Sequence, residues 1–131
     1  MTYLKKIIIF ASVLLLFLSA SSAYCKEKKP VILYLFWAEG CPHCAKEKLF
    51  LSDLKKKYPL LQVKDYEISL PGSIGLLQTM SKAYNITPRG VPVTFIGNKA
   101  LIGFSEKIAF QIEEIVKHCL KNTCEDPLYK K

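Results

Sequence analysis

The stretch that decides the fold reads VILYLFWAEGCPHC and covers residues 31–44. Its first half, Val31 to Trp37, is a near-continuous apolar run of strand-forming residues, which is typical of a strand covered on both faces. Its second half ends in two cysteines separated by two residues, directly before a helical pattern. A pair at this point places the first sulfur, that of Cys41, beside unpaired backbone N–H groups and the positive end of the helix dipole. This setting favours a thiolate, the reactive form of cysteine.

Amphipathic and apolar segments alternate along the rest of the chain. Pro59 is predicted to end the first helix, and Gly97-Asn98 mark the turn of a hairpin. The predicted segments, in chain order, are a helix over residues 42–58, a strand over 61–68, a helix over 74–84, a loop and β-hairpin over 86–104, and a closing helix capped by Ser105. The predicted element order is βαβαββα.

The N-terminus carries the pattern of a secretory signal peptide. Lys5 and Lys6 precede an uncharged apolar stretch, and small residues then offer a cleavage site near Ala23. A membrane anchor would need about 20 apolar residues, and this run is shorter. Lipidation at Cys25 is an alternative that Tyr24 disfavours, because lipid-modified precursors resemble one another in having Gly, Ala or Ser there. We therefore expect an exported protein, in the periplasm or an equivalent compartment.

Length and charge indicate one module. The chain has 131 residues and a formal net charge of +8, and without residues 1–23 it suffices for one domain but not for two packed cores. Residues 24–29 and 122–131 look like polar tails around a domain over residues 30–121. The only lysine run, Lys55-Lys56-Lys57, is placed at a helix C-terminus, where cations suit the dipole. Since no aromatic residues are interleaved with the lysines, nucleic-acid binding is not expected.

Three motifs together resemble the thioredoxin superfamily, over residues 30–120. They are Phe36-Trp37-Ala38-Glu39, the dithiol motif Cys41-Pro42-His43-Cys44, and Gly90-Val91-Pro92-Val93-Thr94-Phe95 before the hairpin. The resemblance implies an α/β fold, with a four-stranded mixed sheet in the order 2-1-3-4 flanked by helices and its third strand antiparallel to the first two. The segment before Val31 has no room for the extra strand and helix of thioredoxin itself, so the minimal, glutaredoxin-like version is expected.

The resemblance also implies an activity, thiol–disulfide exchange on protein thiols and disulfides. Cys41 would attack and form a mixed disulfide with the substrate, and Cys44 would resolve it. Pro42 and His43 are similar to the dipeptide of bacterial periplasmic disulfide oxidases of the DsbA type, and would tune the stability of the thiolate. A stabilised thiolate makes the disulfide a better oxidant. The compact fold instead resembles reductases supplied with electrons by a membrane partner. We favour the oxidising direction, with the reductase as the alternative, because the dipeptide acts directly on the stability of the thiolate.

The loop before the hairpin is expected to bind the substrate. The resemblance implies a cis peptide bond between Val91 and Pro92, lying against the dithiol. An extended substrate peptide would lie along Gly90 and Val91 and form β-type hydrogen bonds that read no particular sequence. A membrane redox partner is expected, no cofactor is required, and a monomer is assumed.

Two features depart from the family pattern. DsbA-type oxidases carry a helical insertion, whereas residues 70–88 here have room for one helix. Many thioredoxin-like proteins also place a buried acid six residues before the first cysteine, where it helps to move the proton of the second. That position is Leu35, and Glu39 nearby is expected to face solvent. The group that takes the proton from Cys44 is therefore not identified.

The other three of the five cysteines are expected at the opposite pole from the dithiol. The central strand begins at that pole and the closing helix ends there, which places Cys25, Cys119 and Cys124 together. A Cys119–Cys124 disulfide is the leading prediction, with Cys25 bonded to either of them as the alternative. Cys119 by itself also fits a buried thiol, because it continues the apolar stripe of the closing helix.

Two other readings of the dithiol are weaker. Zinc or copper binding by Cys41, Cys44 and His43 would need further ligands, and His118 is expected at the other pole. A purely structural disulfide is the second alternative, but such a bridge rarely spans two residues at a helix N-terminus. A metal is therefore not expected.

Overall fold

The computed structural model describes residues 28–130, together with Met1 and Tyr3. Within this part of the chain no helix is long and apolar enough to cross a membrane. The signal peptide, its cleavage near Ala23 and Cys25 itself lie outside the described residues. In chain order the elements are β1 (Val31–Trp37), α1 (Pro42–Lys57), β2 (Leu61–Glu67), α2 (Ser73–Ala83), β3 (Val93–Ile96), β4 (Lys99–Ile102), α3 (Glu106–Asn122) and a 3₁₀ turn (Pro127–Tyr129).

The four strands form one mixed sheet in the order β2-β1-β3-β4. β1 pairs in parallel with β2 and antiparallel with β3, and β3 pairs antiparallel with β4. The predicted order 2-1-3-4 and the antiparallel third strand are confirmed. β1 is thus a central strand, which explains its apolar run because both of its faces are covered.

Side chains of β1 point alternately into two cores, one on each face of the sheet. Leu33 and Leu35 lie in the core shared with α1 and α3, and Tyr34 and Phe36 lie in the core shared with α2. The first core also contains Leu51, Leu54, Ile96, Ile112 and Val116. The second contains Leu77, Met80, Tyr84, Val93 and Phe95. The two cores hold β1 rigidly, and the dithiol follows directly at its carboxyl end.

The C-terminal segment, expected as a polar tail over residues 122–131, is folded onto the domain. Pro127 is buried, and its carbonyl oxygen lies 3.4 Å from the hydroxyl of Tyr84. The hydroxyl of Tyr34 lies 3.4 Å from the Asp126 carboxylate. The composition of the segment is polar, but its partners are tyrosine hydroxyls that the fold alone brings within reach.

Candidate active site

The dithiol lies where the central strand gives way to a helix. Cys41 and Cys44 form a disulfide with their Cα atoms 5.3 Å apart. Cys41 is the N-cap of α1, and its Sγ accepts a hydrogen bond from the backbone N–H of Cys44 at 3.2 Å. Pro42 occupies the first position of the helix, where its missing N–H costs no hydrogen bond. The Cys41 sulfur therefore sits at the positive end of α1, where a thiolate is stabilised.

The two sulfurs differ in accessibility. Cys41 is half-buried, whereas Cys44 is 1% exposed. Pro42 and His43 between them are exposed at the first turn of α1. An incoming thiol or disulfide thus meets Cys41, and Cys44 faces the interior.

The loop before β3 lies against the dithiol. The peptide bond between Val91 and Pro92 is cis, and the Val91 carbonyl oxygen lies 3.7 Å from Cys41 Sγ. Pro92 is buried, Val91 is half-buried and Gly90 is exposed. The structure therefore places the Val91 carbonyl, in the loop predicted to bind the substrate, beside the sulfur predicted to react.

Glu47 is a buried acid that the sequence reasoning missed. It is 0% exposed, and its Oε1 accepts a hydrogen bond from the hydroxyl of Thr94 in β3. Its Oε2 has no hydrogen-bond partner among the described residues. Burial raises the pKa of Glu47 to about 7, against a smaller lowering by the Thr94 hydrogen bond. Because residues three apart on a helix are neighbours, Glu47 lies one turn after Cys44 on the same buried face of α1.

A sequence signal for this acid does exist. The buried residues of α1 are Cys44, Glu47, Leu51 and Leu54. Their spacing is that of a core-facing helical stripe, and an acid on such a stripe is unusual. The family pattern places this acid in the strand, and only Leu35 and Glu39 were therefore considered from the sequence.

No protein-family model and no curated protein sequence matches the chain. Solved structures do match. Mitochondrial thioredoxin 3 from Saccharomyces cerevisiae shares 18% identity at a TM-score of 0.50, over 70% of this chain and 80% of that one. A candidate thiol:disulfide interchange protein DsbE from Chlorobium tepidum shares 18% identity at a TM-score of 0.52, over 71% of this chain and 82% of that one. A periplasmic thioredoxin-like protein from Salmonella enterica serovar Typhimurium shares 16% identity at a TM-score of 0.52, over 73% of this chain and 87% of that one.

The chain has a thioredoxin-like fold. The sheet order and the helices on both faces agree with this likeness. Identities this low show the fold alone, so the chemistry of the chain has to be argued from its own residues.

A cleft opens beside the dithiol of this thioredoxin-like domain. Its volume is about 410 Å³, and Trp37, Lys48, Pro42 and both cysteines contribute to its walls. The Trp37 ring is held in place from two sides. Its Nε1 donates to Asp65 Oδ1 at 3.0 Å, and Lys48 Nζ lies 3.4 Å from the ring centroid. The cleft thus has an apolar wall beside the accessible sulfur of Cys41.

A second disulfide lies at the other pole of the domain. Cys119 and Cys124 are bonded, with Cα atoms 4.9 Å apart, and tie the last turn of α3 to the C-terminal segment. Cys119 is 2% exposed and belongs to the apolar core. A Cβ at Gly97, in the β3–β4 turn, would lie 3.3 Å from Cys119 Sγ and 3.4 Å from Cys124 Sγ. The pair thus fastens the C-terminal segment to α3, close beside this turn.

The residues considered for a metal site are not brought together. His118 lies at the far pole, where its Nδ1 is 3.1 Å from the Asn122 side-chain amide. Residues 28–130 contain no group of three or more His, Cys, Asp or Glu side chains that could hold a metal ion.

Proposed function

We propose that this protein is a thiol:disulfide oxidoreductase that acts on protein thiols and disulfides after export. The observation that carries the proposal is the pairing of an accessible Cys41 with a buried Cys44 at a helix N-terminus, beside a cis-proline loop. The thioredoxin-like fold supports it. Export is supported by the signal pattern of residues 1–23.

In the oxidising direction a substrate thiolate attacks Cys41 Sγ. The S–S bond to Cys44 breaks, a mixed disulfide forms between Cys41 and the substrate, and Cys44 leaves as a thiolate. A second thiolate of the substrate then attacks the substrate sulfur that is bonded to Cys41. The substrate disulfide forms, and Cys41 leaves as a thiolate. Two electrons pass from the substrate to the dithiol, and the reducing direction reverses each step.

Glu47 is proposed to handle the proton of Cys44. Cys44 leaves into a buried environment, where a bare thiolate is costly, and the neighbouring carboxyl group can supply its proton. In the reverse direction the carboxylate removes the proton so that Cys44 can attack. A pKa of about 7 suits both directions near neutral pH.

A comparison of the two disulfides supports this role. Both have a buried inner sulfur, on Cys44 and on Cys119. Glu47 is the only buried charged residue in the described part of the chain, and it neighbours Cys44. Cys119 lies among apolar side chains. The dithiol thus has a proton donor beside its leaving group, whereas the far-pole disulfide suits a structural role.

The substrate backbone is proposed to pair with the loop at Val91. The Val91 carbonyl is next to Cys41, and the loop is accessible at Gly90. Backbone pairing of this kind reads no particular sequence, so many cysteine-containing segments would fit. We further propose that the protein works as a monomer and exchanges electrons with a membrane partner.

The direction of electron flow is proposed to be oxidising, with a reductase as the alternative. Pro42 and His43 stand at the helix N-terminus, where a protonated His43 adds positive charge beside the Cys41 thiolate. The single helix α2 between β2 and β3 favours the reductase, because no helical insertion is present among residues 68–92.

The equilibrium potential of the dithiol, measured against glutathione, distinguishes the two directions of electron flow. A value near −120 mV supports the oxidase, and one near −270 mV supports the reductase.

The activity itself is tested with single cysteine variants. Cys41→Ser should abolish exchange with a model protein disulfide, and Cys44→Ser should accumulate a mixed disulfide that mass spectrometry detects. The double variant Cys119→Ser with Cys124→Ser is the matched control and should keep the exchange rate. A Cys41→Ser protein that exchanges at the normal rate contradicts the proposed function.

A further inference from the structure

Thr94 is a buried hydroxyl group in the middle of the sheet. It is 1% exposed, and it lies directly opposite Leu35 in the register of β1 and β3. Directly opposed residues share one face of a sheet, so Thr94 faces the core that contains α1. Its hydroxyl reaches across that core and donates to Glu47 Oε1.

This hydrogen bond makes the two oxygens of Glu47 unequal. Oε1 accepts from Thr94, and Oε2 has no partner in residues 28–130. A proton on Oε1 would turn the Thr94 hydroxyl away from its acceptor, and an unpaired buried hydroxyl is costly. The proton of the neutral acid therefore belongs on Oε2.

We infer that Thr94 is a positioning residue for the exchange reaction: it holds Glu47 so that Oε2 is the oxygen that passes a proton to and from Cys44. The inference rests on the proposed function and adds a residue to it. Thr94 touches neither sulfur in this role and acts through Glu47.

The position of Thr94 also links the acid to the substrate loop. Thr94 lies two residues after Pro92, and the residue before that proline carries the carbonyl oxygen 3.7 Å from Cys41 Sγ. The short segment from Val91 to Thr94 thus carries both groups. The Val91 carbonyl oxygen faces the accessible sulfur, and the Thr94 hydroxyl binds the acid one helical turn from the buried cysteine.

Thr94→Val tests the inference, because valine keeps the shape and removes the hydroxyl. The Thr94 hydrogen bond lowers the pKa of Glu47, so its loss should raise that pKa. The rate at which Cys44 resolves a mixed disulfide should fall at pH 7 by about threefold to tenfold, and its pH midpoint should move up by about one pH unit. Thr94→Ser should restore the midpoint.

Two comparisons separate positioning from a general structural effect. Alkylation of Cys41 in a Cys44→Ser protein should proceed at the same rate with and without Thr94→Val. In a Glu47→Gln protein, Thr94→Val should cause no additional slowing of resolution.

A uniform slowing at every pH, or an additional slowing in the Glu47→Gln protein, overturns the role of Thr94. Neither result bears on the proposed function, which fails only if Cys41→Ser leaves exchange intact. Urea unfolding of each variant shows whether the folded state persists. Thr94→Ala, which also removes the hydroxyl, provides the readout if the valine protein does not fold.

Discussion

Leu35 in the central strand and Thr94 in β3 are direct cross-strand partners, and the carboxyl group bound at this pair comes from Glu47 of the neighbouring helix. Leu35 occupies the strand position at which the family pattern places a buried acid, and it supplies only an apolar side chain. The acid reaches the same place from α1, one turn after the buried cysteine. A buried acid beside a cysteine has consequences for stability as well as for exchange.

Stability of the oxidised protein should depend on pH through Glu47. The pKa of this group is about 7 in the fold, against 4.5 for an ordinary glutamate. Between these values the folded state holds a proton that the unfolded state has lost. The contribution of Glu47 is therefore most favourable below pH 4.5, and it declines as pH rises to 7, by an amount on the order of 3 kcal/mol.

Glu47→Gln should remove this decline. The free energy of unfolding of the variant, relative to that of the parent, should therefore be higher at pH 8 than at pH 4.5. Urea unfolding at both pH values measures the difference. Glu39→Gln, a change at an exposed acid, is the control and should follow the parent. Equal pH dependence in Glu47→Gln and in the parent would contradict the buried, protonated state of this acid.

Loss of the far-pole disulfide should destabilise the fold without stopping exchange. The bridge closes a loop with a sequence separation of 5, and chain-entropy arguments assign such a loop about 2 kcal/mol. The double variant Cys119→Ser with Cys124→Ser should lose that amount in urea unfolding and retain its exchange rate. Unchanged stability would show that core packing alone fastens the C-terminal segment.

Gly97→Ala should destabilise the protein more than Gly103→Ala. Both glycines have positive φ, +53° and +79°, so both substitutions carry the cost of a left-handed conformation. A Cβ at Gly97 would also come within 3.3 Å of Cys119 Sγ, whereas one at Gly103 would meet nothing within 4 Å. We expect a loss of about 1 kcal/mol for Gly103→Ala and a larger loss for Gly97→Ala. Equal losses by thermal unfolding would show that the turn yields to the added methyl group.

Asp126→Ala should loosen the C-terminal segment. Asp126 Oδ1 accepts from the backbone N–H of Leu128 at 3.0 Å, and its Oδ2 lies 3.4 Å from the Tyr34 hydroxyl. The loss of a cap and a partly buried hydrogen bond should cost about 1 kcal/mol. Glu125→Ala, at an exposed neighbour, is the control. Faster exchange of the Leu128 and Tyr129 amides should appear in Asp126→Ala alone, and identical exchange in both variants would contradict the role of Asp126.

Much of the fold was predictable because its determinants are local. The apolar run of β1 predicted a strand covered on both faces, and Pro59 and Gly97-Asn98 marked where a helix ends and a hairpin turns. The resemblance of three short motifs then implied the sheet order, which the structure confirms. Local patterns of this kind depend on neighbours in the chain.

The hydrogen-bond partner of the buried acid and the folded tail were not predictable in this way. The buried acid was sought in the strand, yet Glu47 occupies the core stripe of α1, and its partner Thr94 is 47 residues away. The C-terminal segment was read as polar, yet Asp126 meets Tyr34 across a separation of 92 residues.

Residues adjacent in the chain are enough to establish the order of elements, the position of the dithiol at the start of α1 and the export pattern. The accessibility of Cys41, the burial of Glu47 and the hydrogen bond that holds its carboxyl group depend instead on how α1 packs against β3. Burial raises the pKa of Glu47, and burial is a property of the packed chain. Packing between α1 and β3 thus places a buried carboxyl group one helical turn from Cys44.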